Sequence, residues 1–235
     1  MIQVAKFTRD EFLNSRWQYK AGEHVTMIAP TQHGKTTLAF QLIEQSATQK
    51  VPAVTLVMKP RDRTVTKWQK RLGHRLVRNW PPFRTPWGQV PTGYMLWPRH
   101  TFDPDQDDSV MYTQFRRCIL DSYKKGNRIL YGDEIYGLAQ ELGLTRELVA
   151  VWTRGASMGC GLWVSTQRPA YIPLWGYNQA EHLFLGKDPD TRSIKRFTEF
   201  GGVNPQIIYQ EVPKLRRFEY LYIRRTGPAM CIVGA

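Results

Sequence analysis

The sequence predicts an α/β domain with a mostly parallel sheet flanked by helices and a C-terminal β-hairpin. Three observations carry this. Apolar, strand-like runs alternate with helix-like stretches, a Gly-Lys-Thr loop joins the first strand to the first long helix, and the last strand-like run alternates with period two. The first strand is read at residues 24–29, followed by the loop and a helix over about 36–46. The second, 53–58, is rich in β-branched residues and ends in Lys59-Pro60. A helix over about 109–125 precedes a third strand at 128–134, which ends in two acids. A helix over about 145–157 leads to a fourth strand at 161–166, stopped by Gln167-Arg168-Pro169. A fifth strand at 181–186 runs into a basic helix beginning near Pro189. Residues 218–223 supply the period-two run, and Arg225-Thr226-Gly227-Pro228 turns it back towards 229–233.

Two stretches break the alternation. Residues 1–20 form an N-terminal leader that lies along the core or crosses to a neighbouring subunit. Residues 79–108 carry many prolines, the aromatics Trp80, Phe83, Trp87, Tyr94 and Trp97, and the acids Asp103, Asp105, Asp107 and Asp108. They are expected to be an insertion packed on the surface of a single domain spanning 21–235. No internal repeat or low-complexity run appears.

Composition narrows the class. At 235 residues the chain is long enough to bury a core without disulfides or a structural metal. No secretory leader and no run of 18 apolar residues is present in the sequence. Cys118, Cys160 and Cys231 are odd in number and lack ligand spacing, so they read as buried or idle thiols of a reducing compartment. A formal net charge of +13 and a pI near 9.8 call for a polyanionic partner, DNA or RNA before an anionic membrane surface.

The segment Ala29-Pro30-Thr31-Gln32-His33-Gly34-Lys35-Thr36-Thr37 follows a strand and opens a helix, the setting of a phosphate-binding loop. Loop N–H groups and the helix dipole would surround the β-phosphate of ATP, Lys35 would reach the β and γ oxygens, and Thr36 would hold Mg²⁺. Ala29 stands where the first glycine of such loops usually does. With Pro30 biasing it towards extended geometry, the loop entry is expected to be tight. Asp133 and Glu134, at the end of an apolar strand, supply the carboxylates a metal triphosphate needs. Asp133 would hold Mg²⁺ through water and Glu134 would activate the attacking water, although adjacent acids also cap helices.

The run Gly132-Asp133-Glu134, then Arg154-Gly155, then residues 159–169 ending in Thr166-Gln167-Arg168-Pro169 resembles the FtsK/HerA branch of the additional-strand, RecA-like P-loop ATPases. The resemblance covers about residues 24–200, and the Thr-Gln-Arg-Pro tail is its most specific part. It implies that Gln167 senses the γ-phosphate. It also implies that an arginine completes the neighbouring subunit's site. Arg154 is the candidate by position, with Arg146, Arg168 and Arg192 as rivals.

Between Lys59 and Arg78 eight basic residues face one acid, Asp62, and Arg61, Arg63, Lys67, Lys70, Arg71 and Arg75 are the candidate DNA contacts. A solvated helix face explains the same stretch as well. Lys187, Arg192, Lys195 and Arg196 make a second basic patch, and Lys214, Arg216 and Arg217 a third. The tryptophans read as packing anchors before stacking platforms, and His33 is the only histidine near the chemistry.

The resemblance and the small size together imply a DNA-translocating, Mg-dependent ATPase working as a homo-oligomeric ring, a pentamer or hexamer. Its closest type would be the genome-packaging ATPases of tailless, membrane-containing viruses, acting on double-stranded DNA. Such an enzyme would work in the host cytoplasm and at the packaging vertex, docked on a capsid or membrane protein. The alternatives are a plasmid or conjugation-type translocase, a terminase-like ATPase subunit, or an ATP-gated DNA-binding assembly factor. Against a complete terminase, only Glu211 and Glu219 remain as acids after residue 200, too few for a nuclease.

Overall fold

The computed structural model describes residues 4–83, 90–167, 179–188, 190–198, 204–226 and 229–234. Its centre is a ten-stranded sheet among the described residues. In chain order the strands are β1 (Lys6–Phe7), β2 (Val25–Ile28), β3 (Ala53–Leu56), β4 (Arg75–Val77), β5 (Gly93–Leu96), β6 (Arg128–Gly132), β7 (Cys160–Thr166), β8 (His182–Gly186), β9 (Tyr220–Arg224) and β10 (Ala229–Val233). Their spatial order is β1-β10-β9-β8-β2-β7-β6-β3-β5-β4. Only β9 runs against the rest, pairing antiparallel with both β8 and β10. The parallel α/β sheet and its closing hairpin thus match the sequence expectation.

Helices cover both faces, which is why the central strands are buried throughout instead of alternating. On one face lie α1 (Arg9–Ser15), α2 (Lys35–Ser46) and α3 (Arg63–Leu72), burying Phe12, Leu38, Phe40, Val65 and Trp68 against Met27 and Trp163. On the other lie α4 (Pro104–Lys125), α5 (Thr145–Arg154), α6 (Thr191–Thr198) and α7 (Pro205–Glu211), with Phe115, Leu148, Trp152, Phe197 and Ile208 over Leu130 and Leu162. Neighbours in β7 divide accordingly: Leu162 and Val164 join one core, Trp163 the other. Trp17, Trp68, Trp80, Trp152 and Trp163 are buried, while Trp87 and Trp175 lie outside the described residues. All three cysteines are buried and free. No helix among the described residues is long and apolar enough to cross a membrane.

Four elements, β5, α4, β4 and α5, depart from the sequence expectation, while the leader takes one of the two courses expected of it. The stretch read as a surface insertion contributes β5, which lies inside the sheet between β3 and β4. Its acids begin α4 five residues early, because Asp103 accepts from the Gln106 N–H at 3.1 Å and caps the helix. Residues 75–77, read only as part of a basic run, form the edge strand β4. The leader lies on this chain's own core: β1 pairs with β10, and Thr8 with Glu11 makes a capping box that starts α1. The helix expected to reach residue 157 ends at Arg154 and gives way to a single turn at Ala156–Met158, closed by Gly159 at φ 71°.

Candidate nucleotide site and basic groove

The carboxyl ends of β2, β3, β6 and β7 meet along one edge of the sheet, where open α/β folds place their ligands. Every nucleotide-site residue read from the sequence, except Arg154, arrives at that edge. Ala29 continues the β2 ladder, its N–H donating to the Thr166 carbonyl at 3.2 Å. Ala29 is not at positive φ, and the left-handed turns of the loop fall on Gln32 (φ 60°) and Gly34 (φ 85°). Room for its methyl comes from β8: a Cβ on Gly186 would lie 2.5 Å from Ala29 Cβ. The loop entry expected to be tight is therefore relieved by a glycine in the adjacent strand.

Lys35, 8% exposed, donates from Nζ to the carbonyls of Ala29 at 2.7 Å and Pro30 at 3.0 Å. Burial lowers its pKa, and the charges of Asp133 and Glu134 oppose that shift. Thr36 Oγ1 donates to Asp133 Oδ1 at 2.8 Å, and Tyr131 donates its hydroxyl to the same oxygen at 2.6 Å. The other carboxylate oxygen faces Lys59 Nζ at 3.5 Å. A hydroxyl and a carboxylate in contact are the hard oxygen donors that suit Mg²⁺, which takes one or two protein carboxylates beside phosphates and water.

Glu134 is held by Thr166, whose hydroxyl donates to Oε1 at 3.0 Å, and by the Tyr136 N–H at 3.4 Å. Burial raises its pKa, with the Thr166 hydrogen bond pulling the other way. A half-dry carboxylate of raised basicity is suited to taking a proton from water. Gln167 Oε1 accepts from Thr31 Oγ1 at 2.6 Å, which brings the end of β7 onto the phosphate loop. The cleft enclosed by these groups measures about 330 Å³.

Arg154 sits elsewhere. It precedes the start of β7 while Gln167 follows its end, and seven residues of strand span about 23 Å. Its guanidinium lies over the Tyr123 ring, 5.8 Å from the centroid. Arg168 lies outside the described residues.

Sequence reasoning missed Lys59, Tyr131, Arg217 and Phe218. Lys59 directly follows the run read from the sequence as a strand at 53–58, and lies three residues beyond the end of β3. Arg217 was grouped with a basic patch, yet it donates through Nη2 and Nε to the Gln32 carbonyl at 3.1 and 3.2 Å.

The basic run divides in two. Arg61, Arg63, Lys67 and Lys70, with Arg78 and Trp97, line an open groove of about 700 Å³ along α3. Arg71 instead makes a bidentate pair with Glu44 at 2.9 and 2.8 Å and stacks over Trp68, and Arg75 donates to the Phe83 carbonyl at 2.8 Å.

A doubly covered, mostly parallel sheet whose phosphate loop sets Thr36 against Asp133 defines the class as a P-loop NTPase fold. No family model matches the chain, and no curated protein matches it significantly. Solved structures do resemble it. The genome packaging NTPase B204 of Sulfolobus turreted icosahedral virus 2, in complex with sulfate, has a TM-score of 0.65 at 14% identity, covering 92% of this chain and 97% of that one. VirB4 of Thermoanaerobacter pseudethanolicus gives 0.65 at 12% identity, covering 90% and 89%. ATPases 2 and 3 of EssC from Geobacillus thermodenitrificans give 0.55 at 11%, covering 91% and 40%. The chain shares its fold with these structures.

Proposed function

We propose that this chain is an ATP-driven double-stranded DNA translocase that packages a viral genome into a preformed capsid. The observation that carries the reading is the meeting of Lys35, Thr36, Asp133, Glu134 and Gln167 in one cleft, with Thr36 and Asp133 2.8 Å apart. Packaging is favoured by the near-complete mutual coverage with the B204 packaging NTPase, which has also been solved with AMP, AMPPCP and ATP-gammaS. A conjugation-type translocase is the second reading, favoured by the equal TM-score of VirB4.

Lys35 exchanges the Ala29 and Pro30 carbonyls for the β and γ oxygens of ATP. Thr36 directly and Asp133 through water would hold Mg²⁺, which would supply charge neutralisation for the triphosphate. Glu134 accepts a proton from water as its oxygen attacks Pγ, and the bond from Pγ to the ADP oxygen breaks. Gln167, tied to Thr31 at 2.6 Å, offers an amide that can both donate to phosphate and accept from water. Arg154, too far to reach its own cleft, completes the site of a neighbour in a ring of five or six subunits, its planar fork spreading over phosphate oxygens. The groove along α3 follows the DNA backbone without reading bases. The ring works in the host cytoplasm and docks at the packaging vertex.

The test is ATP turnover with and without long duplex DNA, in the native chain and in Glu134→Gln at matched concentration. The expected result is several-fold stimulation by DNA, at least a hundredfold loss in the variant, and retained ATP binding. Turnover indifferent to DNA would sink the motor and leave an ATP-gated assembly factor. Nuclease protection of DNA inside capsids separates packaging from conjugative transfer.

A further inference from the structure

One short segment separates the nucleotide cleft from the basic groove. It runs from Lys59, just after β3, through the first turn of α3, and it lines both sides: Lys59 and Thr64 face the cleft, while Arg61, Asp62, Arg63 and Thr66 face the groove. Lys59 touches both. Its carbonyl accepts from Trp97 Nε1 at 2.8 Å, and Trp97 lines the groove. Its ammonium lies 3.5 Å from Asp133 Oδ2 on the cleft side and 3.4 Å from Asp62 Oδ2 on the groove side.

The two carboxylates are fixed and the ammonium is not. Asp133 is held by the hydroxyls of Thr36 and Tyr131. Asp62, its side chain 14% exposed, accepts from the Val65 N–H at 3.0 Å and so caps α3. The Lys59 side chain is 61% exposed, and an ammonium on a flexible four-carbon stem is a compact charge that can leave one anion for another. Among the described residues that line the groove, Asp62 is the only acid, set beside Arg61, Arg63, Lys67, Lys70 and Arg78. Its pair with Lys59 cancels the one repulsive charge that a polyanion lying there meets.

We propose that Lys59 is a contact for the γ-phosphate of the nucleotide and, through Asp62, sets the charge of the groove according to whether that phosphate is present. The inference rests on the reading of the cleft as a triphosphate site and of the groove as a duplex-binding surface, and deepens it. With the cleft free or holding a diphosphate, Lys59 stays between Asp133 and Asp62. A γ-phosphate beside Asp133 carries more charge than either carboxylate, so Lys59 turns to it and leaves Asp62 uncovered at the edge of the groove. Duplex DNA is then held less tightly, and by linkage the duplex weakens the triphosphate by the same factor.

The experiment measures duplex DNA affinity by anisotropy for the full chain loaded with Mg·AMPPCP or with Mg·ADP, at one low salt concentration throughout. The native chain is expected to bind the duplex roughly fivefold more weakly with Mg·AMPPCP. Asp62→Asn keeps a side chain that caps helices and removes the charge, and its two affinities are expected to agree within about twofold. Lys59→Met is expected to lose the difference as well. By calorimetry it should weaken Mg·AMPPCP roughly tenfold while leaving Mg·ADP within about twofold, the mark of a contact made only to the γ-phosphate. Three results overturn the proposal: a native chain that binds the duplex equally or more tightly with Mg·AMPPCP, an Asp62→Asn chain that keeps the native difference, or equal effects of Lys59→Met on the two nucleotides. If the native chain binds no nucleotide or no duplex, the proposed function itself has failed, and the inference falls with it.

Discussion

The fit of Ala29 into a loop position usually occupied by glycine depends on Gly186, and that dependence has a size. In Gly186→Ala the new methyl carbon would stand 2.5 Å from Ala29 Cβ, 3.3 Å from Ala29 Cα and 3.4 Å from the Ile28 carbonyl oxygen. Carbon atoms settle at about 3.5–4.0 Å, so one strand must retreat by about 1 Å. Neither is free to do so, because β2 and β8 are paired through Ile28 and Leu185 and each has a further neighbour. Overpacking of this kind costs about 1–3 kcal/mol. At about 2 kcal/mol, a chain of this length should lose about 4–8 °C in Tm. The displacement also moves the Ala29 carbonyl that receives Lys35, so ATP affinity should fall as well. The assay is a double-mutant cycle by thermal melting and ATP titration. Ala29→Gly removes the opposing methyl and should restore the Gly186→Ala chain to within about 0.5 kcal/mol of Ala29→Gly alone. An unaffected Gly186→Ala chain, or a double variant no better than the single, would refute the packing argument.

Two further outcomes follow from the same structure. His24 and His74 are buried, and burial holds both at a pKa of about 4, below the ordinary 6.5. Each binds a proton more readily unfolded than folded, so each contributes stability that is fully present above pH 6.5 and is lost as pH falls to about 4. Urea unfolding between pH 7 and 4.5 should therefore show proton uptake and a loss of up to about 3 kcal/mol per histidine; a flat profile would contradict it. In the groove along α3, Lys67→Gln with Lys70→Gln should lower the slope of log affinity against log salt for duplex DNA by about 1.8, whereas Arg71→Gln, tied to Glu44, should barely change it. Filter binding or anisotropy from 50 to 200 mM salt measures this.

What could be read from the chain alone was local. The strands that became β2, β3, β6, β7 and β8 are short apolar runs, because a strand covered by helices on both faces needs no polar residues. The phosphate loop is legible for a similar reason: its backbone turns and the first turn of α2 are set by consecutive residues, and Asp133, Glu134 and Gln167 stand directly at strand ends. β4 and β5 were not legible, being three and four residues long and set among arginines and prolines. They exist because β3 offers an edge to β5, and β5 to β4. The leader likewise has no periodicity that announces β1, which forms because β10 lies alongside it.

The sequence by itself determined which residues could handle a metal triphosphate, since that chemistry depends on residue type and on neighbours within a few positions. Only the tertiary structure decided that Lys59 would face Asp133, that Arg71 would be spent on Glu44, and that Gly186 would make room for Ala29. It also decided that Arg9 and Phe218, 209 positions apart, would share a hydrogen bond. Those outcomes hang on strand order, and strand order is settled by which helices can cover which face of the whole sheet, a property no short stretch of chain carries.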